Sequence, residues 1–259
     1  MPFGCALKAE GGARFRLWAP SSAKVELELT PPGAAGATRH AMRCVDGWHE
    51  IDVSDAGAGA SYRFFVQTRD AQVLAVPDPA SRYNPQGVHR ASMIVNPDAY
   101  DWLVAEWRGQ SWPDAVLYEL HVGTFTREGT FAAACERLAE LRDLGVTALE
   151  IMPLAAFPGE RNWGYDGVLQ FAPASCYGAP SDLKALIDGA HGLGMMVLLD
   201  VVYNHFGPEG NYLHAYCPEF FNPAHRTPWG AAINFDGAGS RIVRDFFVHN
   251  ALYWIEEYR

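Results

Sequence analysis

The sequence predicts an antiparallel β-sandwich followed by a parallel sheet covered with helices. Three observations carry that expectation. Short runs in the first hundred or so residues alternate apolar and polar side chains, the period-two pattern of half-buried strands. From Ala115 onward, strand-like and helix-like segments alternate. The strands of that second half are apolar almost without interruption, as strands buried on both faces are.

Taken in order, ARFRLWAPSSAKVELELT (13–30) reads as strand, turn, strand, broken by Pro20 and two serines, and GWHEIDV (47–53) and SYRFFVQ (61–67) read as further strands. PDPASRYNPQGVH (77–89) is too rich in proline and polar residues to be a strand and is expected to be the exit loop. The expected division is a sandwich over 1–105, a link through EWRGQSWPD (106–114), and the α/β part over 115–259.

AVLYELHVGTF (115–125) opens that part as a strand. Thr130 then caps a helix in which Phe131, Ala134, Cys135, Leu138, Leu141 and Leu144 recur at three- and four-residue intervals until Gly145 ends it. TALEIMPL (147–154) is the second strand. SDLKALIDGAHGLG (181–194) is the second helix, with Ser181 or Asp182 as cap and Gly194 as terminator. MMVLLDVV (195–202) is the third strand. SRIVRDFFVHNALYWIEEY (240–258) is the third helix, with Ile242, Val243, Phe246, Phe247, Leu252 and Ile255 as its apolar side. The loops after strands two and three run to roughly 25 and 35 residues, and long loops inside a compact domain are usually functional. They leave the carboxyl ends of the strands, where barrel enzymes build active sites.

A formal net charge of -10 argues against nucleic acid or anionic membranes as partners, whereas a neutral ligand is compatible. No stretch has the 18 or more apolar residues of a membrane span, and MPFGCALKAEGG lacks a signal-peptide profile, so a cytoplasmic location is expected. Cys5, Cys44, Cys135, Cys176 and Cys217 are widely spaced and never form C-x-x-C, which suggests neither a disulfide framework nor a zinc site.

Within LLDVVYNHFGPEGNY (198–212), Asp200 is expected inside a strand buried on both faces, where an ionised carboxylate needs a partner to offset desolvation. Asn204 and His205 fall where that strand meets its loop. NWGYDG (162–167) is the second candidate: glycines flank Tyr165, and an exposed ring next to a carboxylate, Asp166, is a natural platform for the apolar face of a sugar. Trp163 stands beside it. The third loop adds Tyr203, Phe206, Tyr212, Tyr216, Phe220, Phe221 and Trp229, a surface suited to stacking, many of which must be loop core. His121 reads as a buried, hydrogen-bonded histidine. Nothing in the spacing of Glu119, Glu150 and Asp166 marks an acid/base pair. Nucleotide, zinc-protease and serine-hydrolase motifs are absent.

DVVYNH (200–205) resembles the first conserved region of the α-amylase superfamily, which carries it at the end of the third strand of an alternating β/α series. YELHVGTF, NWGYDG, SCYGAPSDLKALIDGAHGLGMMVLLDVVYNHFGPEGNYL and TPWGAAINFDG (227–237) together resemble the branch of that superfamily that releases trehalose from malto-oligosyl trehalose. FRLWAPSSAKVELEL and PDPASRYNPQGVH resemble that branch's amino-terminal sandwich. The resemblance implies an immunoglobulin-like sandwich, then the first three β/α units of a TIM (β/α)8 barrel, and a retaining glycoside hydrolase acting on α-1,4 bonds. Its substrate would be malto-oligosyl trehalose or another malto-oligosaccharide. By that resemblance Tyr165 stacks on the sugar at the cleavage subsite, His205 hydrogen-bonds its hydroxyls, Asp200 holds an arginine from the fourth strand, and Trp163, Asp166 and Asn204 complete the substrate-binding set. The asparagine matching Asn204 binds calcium in some relatives. The trehalose-releasing branch does not need it, so no metal and no other cofactor is expected.

In this superfamily the nucleophilic aspartate lies on the fourth strand, the general acid glutamate on the fifth and a stabilising aspartate on the seventh. A complete barrel takes about 250 residues, far more than run from Ala115 to Arg259. The nucleophile and acid are therefore expected beyond Arg259, and these 259 residues alone are expected not to hydrolyse substrate. Glycogen branching or debranching enzymes share the sandwich, the first strand and D-x-x-x-N-H, but TPWGAAINFDG and NWGYDG favour the trehalose-releasing branch. A non-catalytic glucan-binding fragment is the alternative from another class.

Overall fold

Nine strands lie within the first 93 residues of the computed structural model, which describes all of residues 1–259: β1 (Gly4–Leu7), β2 (Ala13–Trp18), β3 (Val25–Thr30), β4 (Thr38–Ala41), β5 (Arg43–Val45), β6 (Trp48–Val53), β7 (Ser61–Gln67), β8 (Val73–Val76) and β9 (Ser92–Met93). They form two antiparallel sheets, ordered β1-β2-β6-β5 and β4-β3-β7-β8, with β9 added on β7. Alternate residues face inward, Val25, Leu27 and Leu29 on β3 and Tyr62, Phe64 and Val66 on β7. Across the gap Phe15 meets Tyr62 edge-on at 5.0 Å, so the two sheets share one core. The exit loop folds around a buried Asp78, whose carboxylate accepts the Tyr62 hydroxyl at 2.7 Å and the Ala80 N–H at 2.8 Å. Burial outweighs those hydrogen bonds and pushes this carboxyl up to about 6.

The second half runs β10 (Leu117–Leu120), α1 (Val122–Phe125), α2 (Phe131–Glu136), α3 (Leu138–Leu144), β11 (Ala148–Ile151), β12 (Ala155–Ala156), β13 (Leu169–Pro173), α4 (Pro180–Gly192), β14 (Met196–Leu199), α5 (Leu213–Tyr216), β15 (Phe221–Thr227), β16 (Gly230–Ile233) and α6 (Ser240–Tyr258). Strands β10, β11 and β14 form a parallel sheet in that order, with Leu117, Ala148 and Met196 in register. No helix is long and apolar enough to cross a membrane, and all five cysteines are free.

Several expectations need correction. Each parallel strand is shorter than its apolar run: β10 stops at Leu120 and Val122–Phe125 turns helical, while β14 stops at Leu199. The helix predicted from Thr130 to Gly145 is two helices, because Arg137 at ψ −4 bonds back to Ala134 and Cys135 and tightens the chain. Its ends are as expected: the Thr130 hydroxyl accepts the Ala133 N–H at 3.2 Å, and Gly145 closes α3 at φ 99. Helix α4 begins earlier than expected, with Pro180 pre-set for the first turn and Ala179 as cap; Asp182 reaches back to accept the Ala179 N–H at 2.8 Å. On α6, Leu252 and Ile255 are exposed, whereas Asn250, Tyr253, Trp254 and Tyr258 are buried. Asn250 tolerates this because it donates to the Gln170 carbonyl at 2.8 Å and accepts from the Tyr203 hydroxyl at 2.5 Å. Strand β14 was expected to be buried on both faces. It is half-buried, since it forms one edge of the sheet, and Val197, Leu199, Val201, Trp254 and Ile255 line an open apolar groove beside it.

The segment joining the two halves is pinned to α4. Asp188 accepts the N–H of Leu103 at 2.8 Å and of Val104 at 3.0 Å, and the Tyr100 hydroxyl at 3.1 Å. Burial opposes ionisation of this carboxyl, but those donors more than offset it and hold its pKa below the usual carboxylate value. One turn on, Trp107 stacks on His191 with ring centroids 4.2 Å apart. Burial, countered in part by the Asp188 charge and reinforced by Arg259, pushes the His191 imidazole down to about 4. Between that value and 6.5 the unfolded chain binds a proton that the folded chain does not. Stability should therefore fall as pH drops from 6.5 towards 4, by on the order of 3 kcal/mol from this group. His191→Phe, which keeps the stack, should flatten that slope in urea unfolding measured across the window; an unchanged slope would contradict it.

Candidate functional site

Three segments converge at the carboxyl ends of the parallel strands: the residues after β10, the NWGYDG loop after β11, and the loop from Asp200 to Tyr212 after β14. The NWGYDG loop is built around Asn162. Its Oδ1 accepts the Gly164 N–H at 2.8 Å and the Asp166 N–H at 3.4 Å, while its Nδ2 donates to Asp166 Oδ2 at 2.7 Å. This is an Asx turn, in which a side-chain amide substitutes for backbone. The turn leaves Trp163 and Tyr165 outside, 65% and 45% exposed. Gly164 is required here: φ is +98, and a Cβ would lie 2.2 Å from the Pro153 carbonyl oxygen.

The second and third loops close on each other through backbone. The Gly207 N–H donates to the Gly167 carbonyl at 3.1 Å, and a Cβ at Gly207 would fall 2.1 Å from the carbonyl oxygen of Asp166. Tyr165 and Asp166 on one loop and His205 on the other are thus within one or two residues of a direct backbone junction.

In the third loop, the Asp200 N–H donates to the Ile151 carbonyl at 2.9 Å, one residue beyond the end of β14. Asp200 is therefore not inside a strand buried on both faces, as its apolar neighbours suggested; it is half-buried at the mouth of an open sheet, where the desolvation penalty is smaller. Asn204 is exposed, and its Oδ1 lies 3.1 Å from His205 Nδ1. The His205 ring is 8% exposed and stacks under Trp229 at 5.8 Å. Trp229 itself is 63% exposed in the turn between β15 and β16. Of the other loop aromatics, Phe206, Tyr216 and Phe220 are core.

The exit loop of the sandwich also reaches the third loop, a contact with no signature in the local residue pattern. His89 Nδ1 is 2.8 Å from the Tyr212 hydroxyl and Nε2 is 3.1 Å from Glu209 Oε1. Gly210 packs so closely on Val88 that a Cβ would sit 2.5 Å from its methyl. Further along, Arg69 of the sandwich pairs with Glu219 at 3.2 Å. The third loop is therefore held on two sides. Glu119 and Glu150, set aside as lacking any distinguishing spacing, are cross-strand neighbours in the parallel ladder. No group of three or more His, Cys, Asp or Glu side chains is placed to hold a metal ion.

Comparison with known proteins places these features in context. The family description "Alpha amylase, catalytic domain" matches residues 84–234, and "Carbohydrate-binding module 48 (Isoamylase N-terminal domain)" matches residues 2–81. A malto-oligosyltrehalose trehalohydrolase of Saccharolobus solfataricus is 45% identical over 258 residues, 100% of this chain and 44% of its own. One of Deinococcus radiodurans is 42% identical over 253 residues, 97% and 40% of the two chains. A crystal structure of an alpha amylase candidate from Salmonella typhimurium is similar with a TM-score of 0.91 and 47% identity, covering 99% of this chain and 42% of that one. The chain spans less than half the length of each of these relatives.

Proposed function

The chain belongs to the α-amylase family, and on that premise we propose that it carries the substrate-binding floor of a glycoside hydrolase that releases trehalose from malto-oligosyl trehalose by cutting an α-1,4 bond. In this reading residues 1–105 are a sandwich domain, 106–114 a link, and 115–259 the first three units of a (β/α)8 barrel, serving trehalose biosynthesis in the cytoplasm. The observation that carries the reading is the backbone junction between Gly207 and Gly167, which closes the Tyr165 loop onto the His205 loop.

Each residue then has a chemical task. Tyr165 offers its exposed face to the apolar side of a glucosyl ring, with Trp163 beside it. His205, its ring fixed between Asn204 and Trp229, presents hydrogen-bonding nitrogen to sugar hydroxyls. Asp166, oriented by Asn162, accepts from hydroxyls at the same rim, and Asp200 orients a basic partner beneath. Retaining hydrolysis needs two carboxyl groups roughly 5 Å apart, one attacking and one protonating the leaving oxygen. We assign that pair to sequence equivalent to the part of the relatives that these 259 residues do not match.

The reading is tested by titrating the 259-residue polypeptide with maltoheptaose, followed by intrinsic fluorescence and calorimetry. Saturable binding is expected, weakened roughly tenfold by Tyr165→Ala, equivalent to about 1.4 kcal/mol for a lost stacking contact. No saturable binding, or binding indifferent to Tyr165, would overturn it.

A further inference from the structure

His205 lies within a stretch, residues 203–207, that the fold ties down on both sides of it. Two residues after it, the Gly207 N–H donates to the Gly167 carbonyl at 3.1 Å. Two residues before it, the Tyr203 hydroxyl donates to Asn250 Oδ1 on α6 at 2.5 Å. Burial pushes that hydroxyl up to about 12, so it keeps its proton and remains a donor at neutral pH. The two anchors meet at one residue, Gln170 of β13. Its carbonyl accepts from Asn250 Nδ2 at 2.8 Å, and its side-chain amide donates to the Gly167 carbonyl at 3.4 Å. These hydrogen bonds close a ring that runs from Asn250 through Tyr203 and the His205 segment to Gly207, across to Gly167, and back through Gln170.

The ring is sheltered from water: Asn250 is 0% exposed, Gln170 is 2% exposed, and Gly167 and Gly207 are buried. A backbone carbonyl can only accept, so the Asn250 amide nitrogen must face Gln170 and its oxygen must face Tyr203. Packing alone does not call for an amide here, since an apolar side chain of similar size would fill the position without desolvating polar atoms. Nor does the Gln170 carbonyl depend on it, because Trp254 Nε1 already donates to that oxygen at 3.2 Å. What the amide alone does is join Tyr203 to β13. Through that join, α6 sets the third loop relative to the second.

We propose that Asn250 is a positioning residue for saccharide binding: it holds the His205 segment against the loop that carries Tyr165, from outside the set of residues that meet the sugar. The inference rests on the glucan-binding reading above and adds to it a residue of α6 on which the His205 contact depends.

The test is calorimetric titration of the 259-residue polypeptide with maltoheptaose, run beside urea unfolding. Tyr203→Phe keeps the ring packed on Phe247, centroids 5.1 Å apart, and deletes only the hydroxyl. It should weaken binding roughly fivefold. Asn250→Asp, equal in shape but presenting oxygen to the Gln170 carbonyl, should weaken it at least as much. In a His205→Ala background, Tyr203→Phe should change affinity less than about 1.5-fold, since both act through one contact. Val243→Ala is the control for stability, because Val243 is buried on the same helix but stands outside the ring. It should lower the urea midpoint yet leave affinity within about 1.5-fold of the parent. Should Asn250→Asp fail to fold, or His205→Ala bind too weakly to titrate, the comparison of Tyr203→Phe with Val243→Ala decides. An equal loss of affinity from Val243→Ala, or an equal factor from Tyr203→Phe with and without His205, would remove the positioning role. Binding that needs Tyr165 but is indifferent to Tyr203→Phe or to His205→Ala would overturn this inference alone. Absence of any maltoheptaose binding by the unaltered polypeptide would overturn the glucan-binding reading beneath it as well.

Discussion

Replacing Gly207 by alanine is expected to destabilise the fold by at least about 3 kcal/mol and to abolish saccharide binding, although the change adds a single methyl group. The added Cβ would sit 2.1 Å from the Asp166 carbonyl oxygen, 2.6 Å from its carbonyl carbon and 2.9 Å from its Cα. All three are backbone atoms, so no side chain can swing aside to make room. Asp166 is itself fixed by Asn162, and Gly167 next to it would place a Cβ 2.6 Å from the Ala155 Cβ, which blocks retreat in that direction. The two loops would have to separate, breaking the Gly207 to Gly167 hydrogen bond and moving His205 away from Tyr165. Gly36→Ala is the matched control, since nothing lies within 4 Å of a Cβ there. Urea unfolding and maltoheptaose titration read both effects. A Gly207→Ala protein within about 1 kcal/mol of the parent and with unchanged binding would show that the loop junction does not build the site.

That junction explains why the site was only partly legible in the sequence. Hydrophobic periodicity found four of the nine sandwich strands, β2, β3, β6 and β7, and the three strand-helix alternations because each buries an apolar face, and the Thr130 and Gly145 caps because those residues satisfy helix ends locally; it passed over β1, β4, β5, β8 and β9, which are short and, in β4 and β5, mostly exposed. It missed the break at Arg137, where the apolar spacing continues undisturbed through a change of backbone angle. It missed the β15–β16 hairpin, because FNPAHRT is largely exposed and carries a proline, so nothing in its pattern marks a strand. Yet that hairpin delivers Trp229 onto His205. Buried polar residues were the other blind spot. Asn250, Asp188 and His191 sit inside because specific partners from distant segments receive or cover them, and pairing at such separations has no local signature. Asp200 was misplaced for the opposite reason: its neighbours are apolar, but the ladder ends one residue before it. By contrast, Asn162 with glycine two residues on and aspartate four residues on is a turn signal that could have been read as the anchor of its loop.

The central claim is that these residues bind a malto-oligosyl chain for a reaction whose carboxylates lie in the part of the relatives not matched here. Incubation of the purified 259-residue polypeptide with malto-oligosyl trehalose, with free trehalose as the readout, tests it most directly when run beside a polypeptide joined at Arg259 to the remaining sequence of the Saccharolobus relative. Enzymes accelerate such reactions by many orders of magnitude, so the contrast is large: no trehalose above background from the first, and sustained release from the second that Tyr165→Ala sharply reduces. Turnover by the 259 residues alone would contradict the assignment of the reacting carboxylates. A folded joined polypeptide that transfers or removes branches and frees no trehalose would contradict the assigned reaction.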